Sequence, residues 1–220
     1  MNNNLTELVF ILDRSGSMRG LEEDTIGGFN SLIEKQKNEA GEALVSTVLF
    51  DGRQEVLYDR MPLQKVETMT REQYYVRGNT ALLDAIGGAI HHIGNVHKYA
   101  REEDRPARTL FIITTDGMEN ASRLYSYAEV KQMVEREQKE YGWEFLFLGA
   151  NIDAIGTAGR FGIRKSNAVT FENDSEGINL NYEILSRTVS RFRAAAPDAA
   201  RVDDDWSAEI RADYRKRHKK

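Results

Sequence analysis

Apolar and polar residues are arranged along the chain so that strands and helices alternate. Uninterrupted or nearly uninterrupted apolar runs over 8–12, 110–115 and 143–148 are typical of parallel strands that are buried on both faces. Between and after them, apolar residues recur every three or four positions, which predicts helices. These helices are expected from Met18 to Gly41 and over 80–94, 126–141 and 175–193. The pattern therefore predicts a sheet covered by helices.

One pair of strands has a different connection. The runs 44–50 and 54–61 are joined by Asp51-Gly52, and two strands joined by such a short turn form an antiparallel hairpin. A last short strand is expected over 168–171. Since the other strands are linked through helices, we predict an α/β fold: a three-layer, Rossmann-like open sheet, mostly parallel, with one antiparallel edge strand and helices on both faces.

The remaining connections are predicted to be loops or short helices. Residues 62–79 are weakly patterned, and 101–108 are expected to form a charged surface turn around Pro106. A short helix is expected to end near Phe161. His91, His92 and His97 point in different directions on a helix, so we expect them on a solvated face rather than around a zinc ion.

Composition excludes several classes of protein. The 220 residues include no cysteine and carry a formal net charge of −5, so disulfides and thiolate zinc sites are ruled out and general attraction to nucleic acid or anionic lipid is not expected. The N-terminus has no basic segment before its apolar run, which is too short to span a membrane. We therefore expect a cytoplasmic protein with no membrane partner.

The candidate chemistry follows the buried strands. Asp13, Ser15 and Ser17 come directly after the first strand, and Asp116 comes directly after the run 110–115. Thr80 precedes a helix and is expected on the same rim, where the carboxyl ends of parallel strands meet. All five side chains carry oxygen, the donor that Mg²⁺ or Mn²⁺ prefers. The sequence thus predicts a divalent metal site formed by Asp13, Ser15, Ser17, Thr80 and Asp116.

In order and spacing, Asp13-Arg14-Ser15-Gly16-Ser17, Thr80 and Asp116 resemble the metal-ion-dependent adhesion site (MIDAS) of von Willebrand factor type A domains, an integrin I-like family. The resemblance covers about residues 5–195. It implies that the two serines bind the metal directly, that the aspartates act largely through water and that the threonine joins or leaves with conformation. One position is left open for a Glu or Asp of a protein partner.

These observations lead to two functional hypotheses. The first is a non-enzymatic, metal-dependent interaction module, bacterial in style, that by analogy with relatives could serve an AAA+ ATPase or a stress-response assembly. The alternative is a Mg²⁺-dependent hydrolase or phosphotransferase. The haloacid-dehalogenase pattern, however, needs an Asp at position 15, where this chain has serine.

The chain is predicted to divide into a domain over 1–196 and a charged tail over 197–220. The tail ends in a basic segment that is the only hint of nucleic-acid binding. Trp206, Ile210 and Tyr214 are spaced for one face of a short helix that docks on the domain or on a partner, but the charge of the segment favours a frayed, solvated end.

Overall fold

A computed structural model describes residues 1–219, so only Lys220 of the predicted tail lies outside the described residues. Within residues 1–219 there are six strands: β1 (Asn2–Asp13), β2 (Glu42–Phe50), β3 (Gln54–Pro62), β4 (Pro106–Thr115), β5 (Glu144–Ala150) and β6 (Ala168–Phe171). The same residues form six α-helices: α1 (Glu22–Lys37), α2 (Leu82–Tyr99), α3 (Tyr127–Tyr141), α4 (Ala154–Arg160), α5 (Ser175–Ala194) and α6 (Ala208–Arg217).

All six strands form one sheet in the order β3-β2-β1-β4-β5-β6. Each neighbouring pair is parallel except β2 and β3, which form the antiparallel hairpin at one edge. β1 lies in the middle between β2 and β4, so its carboxyl end opens onto the centre of the rim. The predicted fold class is therefore confirmed.

The two faces of β1 lie in two separate cores. Leu8, Phe10 and Leu12 point into a core shared with α1, α5 and α6. Val9 and Ile11 point into a second core shared with α2, α3 and α4. Because successive side chains of a strand point to opposite faces, a strand between two cores must be apolar at every position. The unbroken apolar run around residue 10 therefore reflects the three-layer packing.

Some predicted boundaries were wrong, and β1 begins at Asn2 rather than at residue 8. The segment 101–108 is not a surface turn throughout, because β4 begins at Pro106 and Arg108 is buried, donating hydrogen bonds to the carbonyl oxygens of Ala195 and Asn3. A proline is compatible with the first residue of a strand, where its missing N–H is not needed. Helix α2 begins two residues after Thr80 and continues to Tyr99.

The solvated end favoured for the tail was also wrong for the described residues. Trp206 and Ile210 are buried in the same core as α1 and α5, and the Trp206 Nε1 donates a 2.9 Å hydrogen bond to the carbonyl oxygen of Ser166. Arg217 of α6 lies 2.5 Å from Asp174 and 2.8 Å from Glu176. Apolar burial at 206 and 210 thus holds a helix whose other faces are charged. The domain boundary at residue 196 stays a prediction.

Among residues 1–219, none of the helices combines the length and the apolar character that a membrane span needs.

We predict that Trp206→Ala lowers the free energy of unfolding by about 3 kcal/mol, because it removes a large side chain that is only 6% exposed. Trp206→Phe should cost about 1 kcal/mol, mainly through loss of the indole hydrogen bond. Urea unfolding followed by circular dichroism measures both variants. Leu124→Ala, at a side chain that is 70% exposed, is the control. Equal stability of Trp206→Ala and wild type would contradict the docking of α6.

Candidate metal site

The structure brings the five predicted residues together at the centre of the rim. Asp13 is the last residue of β1, Asp116 directly follows β4, and Thr80 lies in the loop before α2. Their side chains are nearly inaccessible, with exposures of 1%, 1% and 3%. Ser15 is 1% exposed, whereas Ser17 is open to solvent. The five side chains therefore form a mostly buried polar cluster that solvent can reach at Ser17.

Hydrogen bonds connect four of the five residues. The Ser15 backbone N–H donates to Asp13 Oδ1 at 2.7 Å, and the Ser15 and Ser17 hydroxyl oxygens are 3.1 Å apart. Ser17 Oγ donates to Asp116 Oδ1 at 2.5 Å. The turn between the serines is held by Gly16, whose N–H donates to the carbonyl oxygen of Gly78 at 3.2 Å. Both serine hydroxyls consequently lie between the two carboxylates.

Thr80 closes the other side of this group. A Cβ built on Gly117 would lie 3.3 Å from Thr80 Oγ1 and 3.5 Å from Ser17 Oγ, so both hydroxyls lie near the backbone of the residue that follows Asp116. The Thr80 N–H donates to Asn120 Oδ1 at 2.9 Å, which fixes the loop in this position. The close approach explains why glycine suits position 117.

Burial makes the ionised forms of Asp13 and Asp116 unfavourable. Removal from water raises the pKa of Asp13 from its ordinary value of 3.8 to about 6, and the nearby charge of Asp116 adds to this rise. Hydrogen bonds from Thr115 and Ser15 oppose it only in part. The pKa of Asp116 is also raised by burial. Two carboxylates in this environment are a site that a cation would stabilise.

Arg14, the cation nearest in sequence, does not balance these charges. Its side chain is fully buried but turns away from Asp13, donating to Asp51 Oδ2 at 3.0 Å and to Glu55 Oε2 at 2.6 Å. These two ion pairs fasten the loop after β1 to the hairpin of β2 and β3. The guanidinium therefore supports the shape of the site without occupying it.

The side chains fit a small divalent cation. Hydroxyl and carboxylate oxygens are the donors that Mg²⁺ prefers, and in an octahedral shell with metal–oxygen distances near 2.1 Å, adjacent oxygens are about 3.0 Å apart. The 3.1 Å between Ser15 Oγ and Ser17 Oγ matches that spacing. Within residues 1–219 no group of three or more His, Asp or Glu side chains is arranged to hold a metal. A cation at this site would therefore depend on the hydroxyls.

Three supporting residues were missed by sequence reasoning. Thr115 Oγ1 donates to Asp13 Oδ2 at 2.6 Å, Asn173 Nδ2 donates to Asp116 Oδ2 at 3.0 Å, and the Tyr74 hydroxyl donates to the Asp13 carbonyl oxygen. Thr115 could have been found, because it is the last residue of a strand that ends at the site. Tyr74 and Asn173 lie in weakly patterned segments, and no spacing relates them to Asp13 or Asp116.

The three histidines of α2 make no hydrogen bond to the site, and one of them was misplaced by the prediction. His91 and His92 are exposed as expected, but His97 is buried, 3.3 Å from Glu7 Oε2 and packed edge-on against Trp143. Glu7 precedes Asp13 by six strand residues, about 20 Å along the sheet. His97 is buried because α2 continues past residue 94 and its last turn packs over Glu7 in the middle of β1.

Comparison of the sequence alone finds no matching protein-family model and no matching curated protein. Comparison of the structure finds proximal thread matrix protein 1 from the mussel byssus, in a form with a zinc-occupied MIDAS motif, with a TM-score of 0.57 and 13% identity. It also finds a von Willebrand factor type A structure from Catenulispora acidiphila, with a TM-score of 0.53 and 12% identity. The ArnB paralog VWA2 from Sulfolobus acidocaldarius gives a TM-score of 0.50 and 17% identity.

The aligned regions have a similar extent in all three cases. They cover 84%, 84% and 86% of this chain but only 46%, 42% and 45% of those chains, so the protein spans less than half the length of the structures it matches. At these identities the likeness concerns the fold. The order of the sheet, its antiparallel edge strand and these structural neighbours together show that this chain has the von Willebrand factor type A fold.

Proposed function

We propose that the protein is a metal-dependent protein-interaction module. In this proposal Asp13, Ser15, Ser17, Thr80 and Asp116 hold Mg²⁺ or Mn²⁺, and a Glu or Asp of a protein partner completes the coordination. The observation that carries the proposal is the pair of buried carboxylates, Asp13 and Asp116, held around two serine hydroxyls that are 3.1 Å apart. When bound, the cation supplies a positive position for the partner's carboxylate.

The protein's own side chains favour partner binding that depends on the metal. Ser17 uses its proton in the hydrogen bond to Asp116, which leaves oxygen lone pairs available for a metal. Both serines are neutral, so they do not cancel the charge that attracts an acid. Ser17 and Gly16 are exposed, which gives a partner access. Without a cation, the negative charge of Asp13 and Asp116 would repel an acidic ligand, so binding should require metal.

The alternative, a Mg²⁺-dependent hydrolase or phosphotransferase, needs a general base within hydrogen-bond reach of its substrate. The three histidines of α2 lie beyond its middle, and His97 is engaged with Glu7, six residues before Asp13 in β1. The residue at position 15 is serine rather than a second aspartate. These observations favour binding over catalysis.

The cellular setting is also a proposal. The absence of cysteine supports a reducing, cytoplasmic compartment, and the analogy drawn above suggests a bacterial AAA+ ATPase or stress-response assembly as the context. The zinc in the site of the mussel protein makes a divalent ion a reasonable occupant here. Arg217 already pairs with Asp174 and Glu176, which reduces the case for nucleic acid as a partner of the tail.

Metal binding is expected to stabilise the folded protein. At a concentration about 100-fold above the dissociation constant, Mg²⁺ or Mn²⁺ should raise the midpoint of thermal unfolding by roughly 5 to 10 °C relative to EDTA. The double variant Ser15→Ala/Ser17→Ala should lose this shift, whereas Ser166→Ala, remote from the site, should keep it. Differential scanning calorimetry measures the effect. No shift with either ion would contradict the metal site.

In the metal-free protein, Asp13→Asn is expected to increase stability at neutral pH. The pKa of Asp13 is about 6 in the fold and 3.8 ordinarily, so its ionisation begins to destabilise the fold as the pH rises through 3.8. The cost reaches about 3 kcal/mol above pH 6. Urea unfolding in EDTA should therefore show a large gain for Asp13→Asn at pH 7.5 and a smaller one at pH 4.5. The exposed Asp198→Asn is the control, and a gain independent of pH would refute this account.

Partner capture tests the function directly. Immobilised wild-type protein should retain partners in Mg²⁺ and release them in EDTA, because the partner's carboxylate needs the cation. Asp13→Ala should retain none of them in either buffer, whereas Asp198→Ala should behave like wild type. Mass spectrometry of the eluates provides the comparison. If the same partners are recovered under all conditions, metal-gated docking is wrong.

A further inference from the structure

We propose that Arg108 and Arg193 form a binding site for a phosphate group. Both side chains line one cavity of about 260 Å³, which lies where β1, β2 and β4 begin and where α1 and α5 end. Arg108 is the third residue of β4, whereas Asp116 follows the last residue of that strand. The site is therefore separate from the metal site and does not rest on the proposed function.

Both arginines are buried, yet neither is paired with a carboxylate. Arg108 is 9% exposed and Arg193 is 6% exposed. Within residues 1–219, the hydrogen bonds that they donate go to neutral acceptors, which are the amide oxygen of Gln36 and the carbonyl oxygens of Asn3, Gln36, Ala40, Gly41 and Ala195. The Nε of Arg193 is buried and has no hydrogen-bond partner among these residues.

A buried guanidinium without an anion is unfavourable. Arg14, which is fully buried, has two anionic partners, Asp51 at 3.0 Å and Glu55 at 2.6 Å. At Arg108 and Arg193, by contrast, burial lowers the pKa. The carbonyl groups at the C-terminal ends of α1 and α5 supply about half a negative charge each, which offsets the two cations only in part. An anion in the cavity would stabilise both.

Neighbouring backbone groups hold the two side chains at the same cavity. Arg108 Nη1 donates to the carbonyl oxygen of Asn3 at 2.8 Å, and Arg193 Nη2 donates to that of Gly41 at 3.0 Å. These two acceptors belong to adjacent segments, since a Cβ built on Gly41 would lie 3.4 Å from the carbonyl oxygen of Asn4. The two guanidiniums are thus positioned before any ligand binds, which reduces the entropy lost on binding.

A phosphate group is the anion that fits this cavity. A guanidinium can donate two parallel hydrogen bonds to the oxygens of such a group. At pH 7 a phosphate monoester carries about −1.5 to −2 charges, which matches two guanidiniums better than the single charge of a carboxylate does. The cavity of about 260 Å³ is smaller than the roughly 300–1,000 Å³ of pockets for drug-sized ligands. We therefore expect inorganic phosphate or a small phosphate ester.

Two carboxylates also line the cavity and should weaken the binding of an anion. Glu39 and Glu42 are exposed to solvent, and Glu39 Oε1 accepts a 3.0 Å hydrogen bond from the Ser190 hydroxyl rather than pairing with Arg193. Water and salt screen exposed charges more than buried ones, so the buried guanidiniums dominate. Replacing both acids by glutamine should strengthen phosphate binding while both arginines stay in place.

Phosphorus NMR of inorganic phosphate titrated with the full-length protein tests the site. The buffer contains EDTA, so the result is independent of the metal site. Wild type should broaden the phosphate resonance in a saturable way. Arg108→Gln and Arg193→Gln should each weaken binding by at least about tenfold. Glu39→Gln/Glu42→Gln should strengthen it roughly threefold. Arg191→Gln removes an exposed positive charge from the same helix and is the matched control, which should bind like wild type.

Circular dichroism checks that each variant is folded, and Glu39→Gln/Glu42→Gln keeps the test decisive if an arginine variant is not. Glycerol phosphate is the second probe: binding of either probe supports the site, and tighter binding of glycerol phosphate identifies the phosphate group as part of a larger molecule. No saturable broadening with either probe would overturn the inference. Equal binding by wild type and folded Arg193→Gln would also overturn it. A loss of stability to urea in Glu39→Gln/Glu42→Gln would do the same, because these acids would then already neutralise the guanidiniums.

Discussion

Two buried carboxylates at the ends of adjacent parallel strands are the constraint on which this structure depends. Asp13 and Asp116 lie where β1 and β4 end, at the centre of the sheet, and both are 1% exposed. Such groups are stable only when other polar atoms satisfy them. Ser17, Thr115 and Asn173 do so here, and each comes from a different loop or strand end. The arrangement of the rim therefore follows from the need to support these two charges.

The surrounding contacts also keep the positive charge of Arg14 away from the two carboxylates. Arg14 is immediately next to Asp13 in sequence, yet its guanidinium is directed to Asp51 and Glu55. If it pointed inward, it would neutralise the carboxylates and remove the attraction for a cation. Hydrogen bonds from hydroxyl and amide groups stabilise the carboxylates without cancelling their charge. The site thus combines structural support with a net negative potential.

The fold class could be predicted from the sequence because the spacing of apolar residues directly reflects which positions are buried. The strand run 8–12 and the helix predicted over 80–94, which spans 82–99 in the structure, were recognisable for this reason, and strand ends led to Asp13 and Asp116. The contacts of Asn173, Tyr74 and Arg14 were not predictable, because they depend on how loops fold back over the rim. The burial of α6 was missed for a related reason: two apolar positions, Trp206 and Ile210, outweigh a strongly charged segment.

The site is also composed of contacts between residues that are far apart in the sequence. The hydrogen bond between Ser17 and Asp116 joins residues 99 positions apart, and that between Thr115 and Asp13 joins residues 102 positions apart. Contacts of such high sequence separation are costly in loop entropy and form together with the sheet rather than before it. A partly folded or proteolytically cut chain would hold only fragments of the site. The complete rim is therefore present only in the fully folded chain.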